Sequence, residues 1–263
     1  MKIIKTNNYF IDMIKKESKN SNSKGSKYDK EGKGFEDAFC LFINKKTKND
    51  LEKELLKEFE NFFKKKIKNC EVLRKKNDGN QTNCKGDIIL IFEDNTSIYV
   101  SLKNTGACQV AGGEYCINTI KNYFNDNTFF KHFLNFHNLK YRSSFLKEKH
   151  SESYEYLCNY WGNINNKKLL EMITMGVNKQ YKPNYILFLN KNNGDLFISK
   201  IDEYIDFIIK YGANGTFNSH SIITASSRGV FQVKLRNPLR LRNRDFLIKD
   251  FNNSKKEVSN NEF

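Results

Sequence analysis

Apolar residues recur along this chain with two different periods, and the switches between them outline its elements. From Phe35 the stretch FEDAFCLFINKK carries Phe35, Phe39, Phe42 and Ile43 at helical spacing, which predicts a helix with one apolar stripe. A second helix is expected in DLEKELLKEFENFFKKKI, with Leu51, Leu55, Phe59, Phe62 and Phe63 inward. Over residues 84–103 the period drops to that of strands. KGDIILIF is a short apolar run, EDNTS holds turn formers, and IYVSLK alternates, so an antiparallel hairpin is predicted. The small-residue stretch TGACQVAGG follows, with a helix expected from about Gly113. Residues 125–180 are aromatic-rich and mostly helical in pattern. PNYILFLNKNNGDLFISKI predicts a second hairpin across Asn193-Gly194. DEYIDFIIKYG then predicts a helix, with Arg-rich strands beyond it. The polar run over residues 18–34 closes a basic, flexible segment, residues 1–34, and residues 251–263 form a loose tail. The order α-α-β-β-α…β-β-α-β predicts an α/β fold, a mixed central sheet flanked by helices. One domain is expected over 35–250, with its core in 35–135 and a second part in 136–250.

Charge changes the picture more than composition does. Hydrophobic residues make up 38% of the 263 positions, yet 22 Phe and 13 Tyr supply bulk enough for a sizeable core. No apolar run approaches the roughly 20 residues that span a bilayer. The N-terminal MKIIKTNNYFIDMIKK has charges inside any apolar region and no cleavage site, so a cytoplasmic protein is expected. Lys and Arg number 45 against 30 Asp and Glu, a net charge of +15. Such a surplus suits a polyanion, nucleic acid being the commonest. A Lys- and Asn-loaded composition is the other source of charge. Against it, the basic residues between Arg228 and Lys249 (Arg228, Lys234, Arg236, Arg240, Arg242, Arg244, Lys249) are mostly Arg and face one acid, Asp245. Arg pairs bidentately with guanine edges and phosphates. The six cysteines form no C-x2-C pair, and His132 and His137 are not at ligand spacing, which argues against a structural zinc site.

The first hairpin carries the chemistry. Gly86-Asp87 opens its first strand and Ser101-Leu102-Lys103 ends its second, so the two ends lie side by side in an antiparallel pair. Ser101 and Lys103 share a face. A carboxylate, an ammonium and the Leu102 carbonyl then meet at one rim of the sheet. Phosphodiester hydrolysis uses such a set: a carboxylate holds Mg2+, the metal activates water and phosphate, and a lysine orients the nucleophile. An ordinary structural hairpin is the plain alternative.

From Phe35 to Asn135 the chain resembles the PD-(D/E)XK nuclease superfamily, and within it the small four-base-cutting type II restriction enzymes. The resemblance implies that Asp87 is the metal-binding aspartate and Lys103 the motif lysine. It implies that Glu36, on the helix ahead of the hairpin, is the helix glutamate that many such enzymes direct at the metal. Gly86 replaces the motif's Pro, and Ser101 stands where the second carboxylate is usual, a place where some of these enzymes carry Asn or Gln. The missing charge is then expected from Glu36 or from Glu114 on the following helix. Asp87, Ser101, Lys103 and Glu36 are therefore the expected catalytic residues, with Asp87, Leu102 and Glu36 around Mg2+.

DNA contacts are expected from two further regions. Gln109, in the loop after the catalytic strand, is of a type that binds adenine or a phosphate. Ser226-Ser227-Arg228-Gly229 looks like the late base-reading strand and loop of the small restriction enzymes, with Arg228 the guanine contact and Gly229 allowing close backbone approach. Lys234, Arg236, Arg240, Arg242 and Arg244 continue the basic stretch; the last three alternate along one strand face and could track phosphates or simply be solvated. TGACQVAGGE lacks the G-K-[ST] ending of a P-loop. The expected function is Mg2+-dependent, sequence-specific cleavage of double-stranded DNA, as a monomer or homodimer, with a cognate DNA methyltransferase as functional partner. A non-catalytic nucleic-acid-binding protein and a repair or mobile-element nuclease of the same superfamily are the alternatives.

Overall fold

Apolar stripes pack three helices onto a sheet, and the aromatic residues do most of the filling. In the computed structural model of the chain the described residues are 1–20, 27–73, 86–105, 109–138, 152, 153, 156, 160, 164–176, 182–211, 223–225 and 230–236. They divide into two compact units: Met1–Gly106 with Thr174–Tyr204, and Ala107–Ile173 with Ile205–Phe263.

The first unit opens with strand β1 (Lys2–Ile4), α1 (Tyr9–Asn20), α2 (Lys27–Asn44) and α3 (Asp50–Phe63). It continues with β2 (Ile67–Val72), β3 (Ile88–Phe92) and β4 (Ser97–Thr105), and later with β6 (Tyr185–Asn190) and β7 (Leu196–Lys200). The sheet order is β1-β7-β6-β4-β3-β2, antiparallel except for the parallel pair β4–β6, so the central sheet is mixed as expected. Phe10, Phe35, Phe39, Phe42 and Phe59 from the helices meet Ile88, Leu90, Phe92, Val100 and Leu102 from β3 and β4 in one buried cluster. Ring pairs such as Phe39–Phe59 at 5.2 Å and 89° adopt the edge-to-face geometry that rings prefer. On the other face, Phe188 and Phe197 pack against Tyr204. The strand β6 is buried on both faces, which is why YILFLN reads as continuously apolar.

Several expectations are corrected here. Helix α2 begins at Lys27 rather than Phe35, so the described part of 18–34 is helical. Gly32 and Gly34 each cost a helix about 1 kcal/mol. Tertiary contacts oppose that cost: Asn104 Nδ2 donates to the Glu31 carbonyl at 3.2 Å, and Lys191 pairs with the Glu31 carboxylate. The second helix stops at Phe63, not Ile67. Lys64 turns left-handed (φ 55°), and Glu60 accepts the Ile67 N–H, releasing the chain into β2. The N-terminal β1 and α1 were not expected. Phe10 and Ile14 of α1 are buried, but β1 is too short to show a period.

The second unit contains β5 (Gln109–Cys116), α4 (Ile117–Phe124), α5 (Asn127–Asn138), most of α6 (Ile164–Met175), and strands β8 (Ile223–Ala225) and β9 (Val230–Arg236). The helix α7 (Ile201–Tyr211), expected from its sequence, begins in the first unit. Residues 113–116 belong to a strand, so the helix expected from Gly113 starts four residues later, at Ile117. The antiparallel partner β9 explains the difference, since pairing is non-local and invisible to a local period. His132 is a core residue: its Nδ1 lies 3.0 Å from Ser153 Oγ and its ring stacks on Tyr156 at 4.1 Å.

Candidate active site

The hairpin β3–β4 pairs Ile88 with Val100, and the Asp87 N–H donates to the Val100 carbonyl at 2.9 Å. The ladder therefore continues past the end of β3 and sets Asp87 across from Ser101. Strand alternation assigns the faces. Ile88, Val100 and Leu102 point into the helix-side core, which sends Asp87, Ser101 and Lys103 to the opposite face.

Three groups hold the Asp87 carboxylate, all through Oδ2. The Leu102 N–H donates to it at 2.6 Å, the Ser101 hydroxyl donates at 3.1 Å, and Lys103 Nζ lies 3.6 Å away. Lys103 Nζ also donates to the Leu102 carbonyl at 3.3 Å. The side chains are 26% exposed for Asp87 and 16% for Lys103, while Ser101 is buried. Charge-assisted bonds of this kind, in a site partly withdrawn from water, are stronger than neutral ones and fix the carboxylate in place.

Asp87, Ser101, Leu102 and Lys103 are thus brought together. Glu36 is half-buried on α2. Glu114 lies on β5, in register with Gln232, rather than on a helix. Gln109 opens β5 opposite Arg236, and Lys234 pairs with Ala111. Arg228, Arg240, Arg242 and Arg244 lie outside the described residues. Sequence reasoning missed the Leu102 N–H as the shortest contact to Asp87, because a main-chain donor leaves no residue signature. It also missed Asn104, the next residue but one after Leu102, whose amide ties β4 to α2.

The donor set suits a hard cation. It offers one carboxylate, one hydroxyl and one main-chain carbonyl, all oxygen. Mg2+ is commonly held by one or two carboxylates, with waters and substrate phosphates completing the shell. Among the described residues no group of three or more His, Cys, Asp or Glu side chains is placed to hold a metal ion.

No protein-family model and no curated protein sequence matches the chain. Among solved structures, it is similar to restriction endonuclease MspI in complex with its cognate DNA, with a TM-score of 0.61 and 16% identity over 86% of this chain and 97% of that one. The fold is α/β and restriction-endonuclease-like.

Proposed function

We propose that this protein is a Mg2+-dependent, sequence-specific endonuclease of double-stranded DNA, of the type II restriction kind within the PD-(D/E)XK superfamily. The observation that carries the reading is the convergence of Asp87, Ser101 and Lys103 at one end of the β3–β4 hairpin, in a restriction-endonuclease-like fold. The similar structure is bound to its cognate DNA, and this chain's charge of +15 suits the same partner.

Asp87 would hold the metal with the Leu102 carbonyl, Ser101 would keep the Asp87 carboxylate oriented, and Glu36 would add charge through water. When bound, Mg2+ polarises the scissile phosphate and lowers the pKa of bound water. Lys103 would hold the attacking water and meet the charge that builds on the phosphate. Water oxygen joins phosphorus, one P–O ester bond breaks, and the leaving oxygen takes up a proton. Gln109, Lys234 and Arg236, with Arg228, Arg240, Arg242 and Arg244, would bind the duplex.

Plasmid digestion with Mg2+ and with a chelator tests the reading. The wild-type protein should cut into discrete fragments only with the metal. Asp87→Ala and Lys103→Ala should each abolish cutting while leaving metal-free DNA binding within about twofold. Wild-type levels of cleavage by either variant would falsify the site assignment, and binding without cutting by the wild type would leave a basic DNA-binding protein.

A further inference from the structure

The sheet face that carries Asp87 also carries Glu71. Cys70, Val72 and Leu90 belong to the helix-side core. Alternation therefore turns Asn69, Glu71 and Ile89 to the opposite face, the one that holds Asp87, Ser101 and Lys103. The register sets Glu71 directly across from Ile89, and the Leu73 N–H extends the β2–β3 ladder by donating to the Asp87 carbonyl at 3.0 Å. Glu71 is thus the diagonal neighbour of Asp87 on the adjacent strand. Diagonal pairs stand about 7–8 Å apart, a span that two carboxylate side chains can close around one cation. Among the described residues, Glu71 is the only acid in β2, β3 and β4. It is half-buried, and its Oε1 accepts from Asn69 Nδ2 at 3.1 Å, a donor on the same face.

Local charge decides why this second acid matters. Asp87 carries one negative charge, and Lys103 Nζ, 3.6 Å from its Oδ2, carries one positive charge. The pair is neutral, in a chain whose net charge is +15. A divalent cation approaching these two groups gains little, because attraction to the carboxylate is offset by repulsion from the ammonium at similar range. Ser101 adds an oxygen but no charge. With Glu71 the same set becomes net negative. Mg2+ commonly takes one or two carboxylates from a protein, waters and phosphates completing its shell.

We propose that Glu71 is the second acidic group of the Asp87 site and binds one divalent cation together with Asp87. The proposal rests on the endonuclease reading above for the choice of Mg2+. Its test is a titration of the full chain, without DNA, with Mn2+, which takes the same oxygen ligands as Mg2+. Electron paramagnetic resonance reads the free Mn2+. The wild type should bind Mn2+, and excess Mg2+ should displace it. Glu71→Gln, close in size, should weaken Mn2+ binding by roughly tenfold or more, as should Asp87→Asn. Glu71→Asp keeps the charge on a shorter side chain and should fall between the wild type and Glu71→Gln. It carries the comparison if thermal melting shows the Gln variant unfolded. Glu54→Gln removes the same charge from an exposed position on α3 and should bind like the wild type. Wild-type Mn2+ affinity in the Glu71 variants, an equal loss in Glu54→Gln, or no Mn2+ bound by the wild type would each overturn the proposal. A chain that binds Mn2+ through both carboxylates but never cuts DNA keeps this inference and loses the endonuclease reading. Metal-dependent cutting by the wild type, with Mn2+ affinity unchanged in Glu71→Gln, does the reverse.

Discussion

Asp87 illustrates how a fold fixes the orientation of one side chain. Its Oδ2 takes a main-chain donor, a hydroxyl and a nearby ammonium. Removing the hydroxyl leaves the other two, and Ser101→Ala should slow cleavage only several-fold. Glu36→Ala should do more harm if its charge reaches the metal, and raised Mg2+ should then recover part of the rate. Rates across a Mg2+ titration decide it: indifference of Glu36→Ala at every concentration removes Glu36 from the site. Glu52 is a second prepared carboxylate, 3% exposed, and it has a structural task. Burial alone would raise its pKa, but donors outweigh it: Lys45 at 2.7 and 2.8 Å, Tyr9 at 2.7 Å and the Asn49 N–H at 2.8 Å hold the carboxyl below its usual value. In the unfolded chain a Glu titrates near 4.3, so that state takes up the proton first. The stabilisation is complete above about pH 4.3 and is lost as pH falls toward the lower folded-state value. Glu52→Gln should cost about 1–3 kcal/mol at pH 7. It should also flatten the fall in stability below pH 5, measured by urea denaturation across pH.

At the scale of elements, the second hairpin shows how a turn is tied to the fold. The expected Asn193-Gly194 turn is present, with Gly194 at φ 73° and its N–H donating to the Asn190 carbonyl at 2.8 Å. Thr6 donates its hydroxyl proton to the Gly194 carbonyl at 2.6 Å, so the N-terminal segment lies against the turn. A Cβ at Gly194 would sit 2.7 Å from Asn8 Cα, a backbone atom that cannot swing away. Gly194→Ala therefore combines a left-handed backbone with a clash and should destabilise the protein by about 2 kcal/mol or more. A denaturation midpoint equal to that of the wild type would show that the loop yields instead. The capping box at the start of α3, in which Asn49 Oδ1 accepts the Glu52 N–H at 2.9 Å, was present in the sequence as N-D-L-E and fixes where that helix begins.

For the whole molecule, charge is the property that a solution measurement reads most directly. The surplus of +15 predicts DNA affinity that falls steeply with salt. If Lys234 and Arg236 each hold one phosphate, Lys234→Ala and Arg236→Ala should weaken binding to all duplexes alike. Each should also flatten the slope of log affinity against log salt by nearly one unit. Binding titrations in Ca2+ at several salt concentrations measure this, and an unchanged slope in both variants would place the phosphate contacts elsewhere, with Arg240, Arg242 and Arg244 the next to test.

Local pattern was enough to determine the two hairpins, the body of α2 and α3, the helix α7, and the spacing that brings Asp87 to Ser101 and Lys103. Each depends on neighbours in the chain: a period of two or 3.6, a turn former, a few residues between paired ends. The tertiary structure decided what depends on distant partners. Lys191 and Asn104 draw α2 back to Lys27, across two glycines that local propensity reads as a break. The parallel pairing of β4 with β6 joins segments some eighty residues apart, and no local pattern encodes a register between them. The strand β9 turned residues 113–116 from an expected helix into a strand, because a ladder of cross-strand hydrogen bonds outweighs the weak helical preference of so short a stretch.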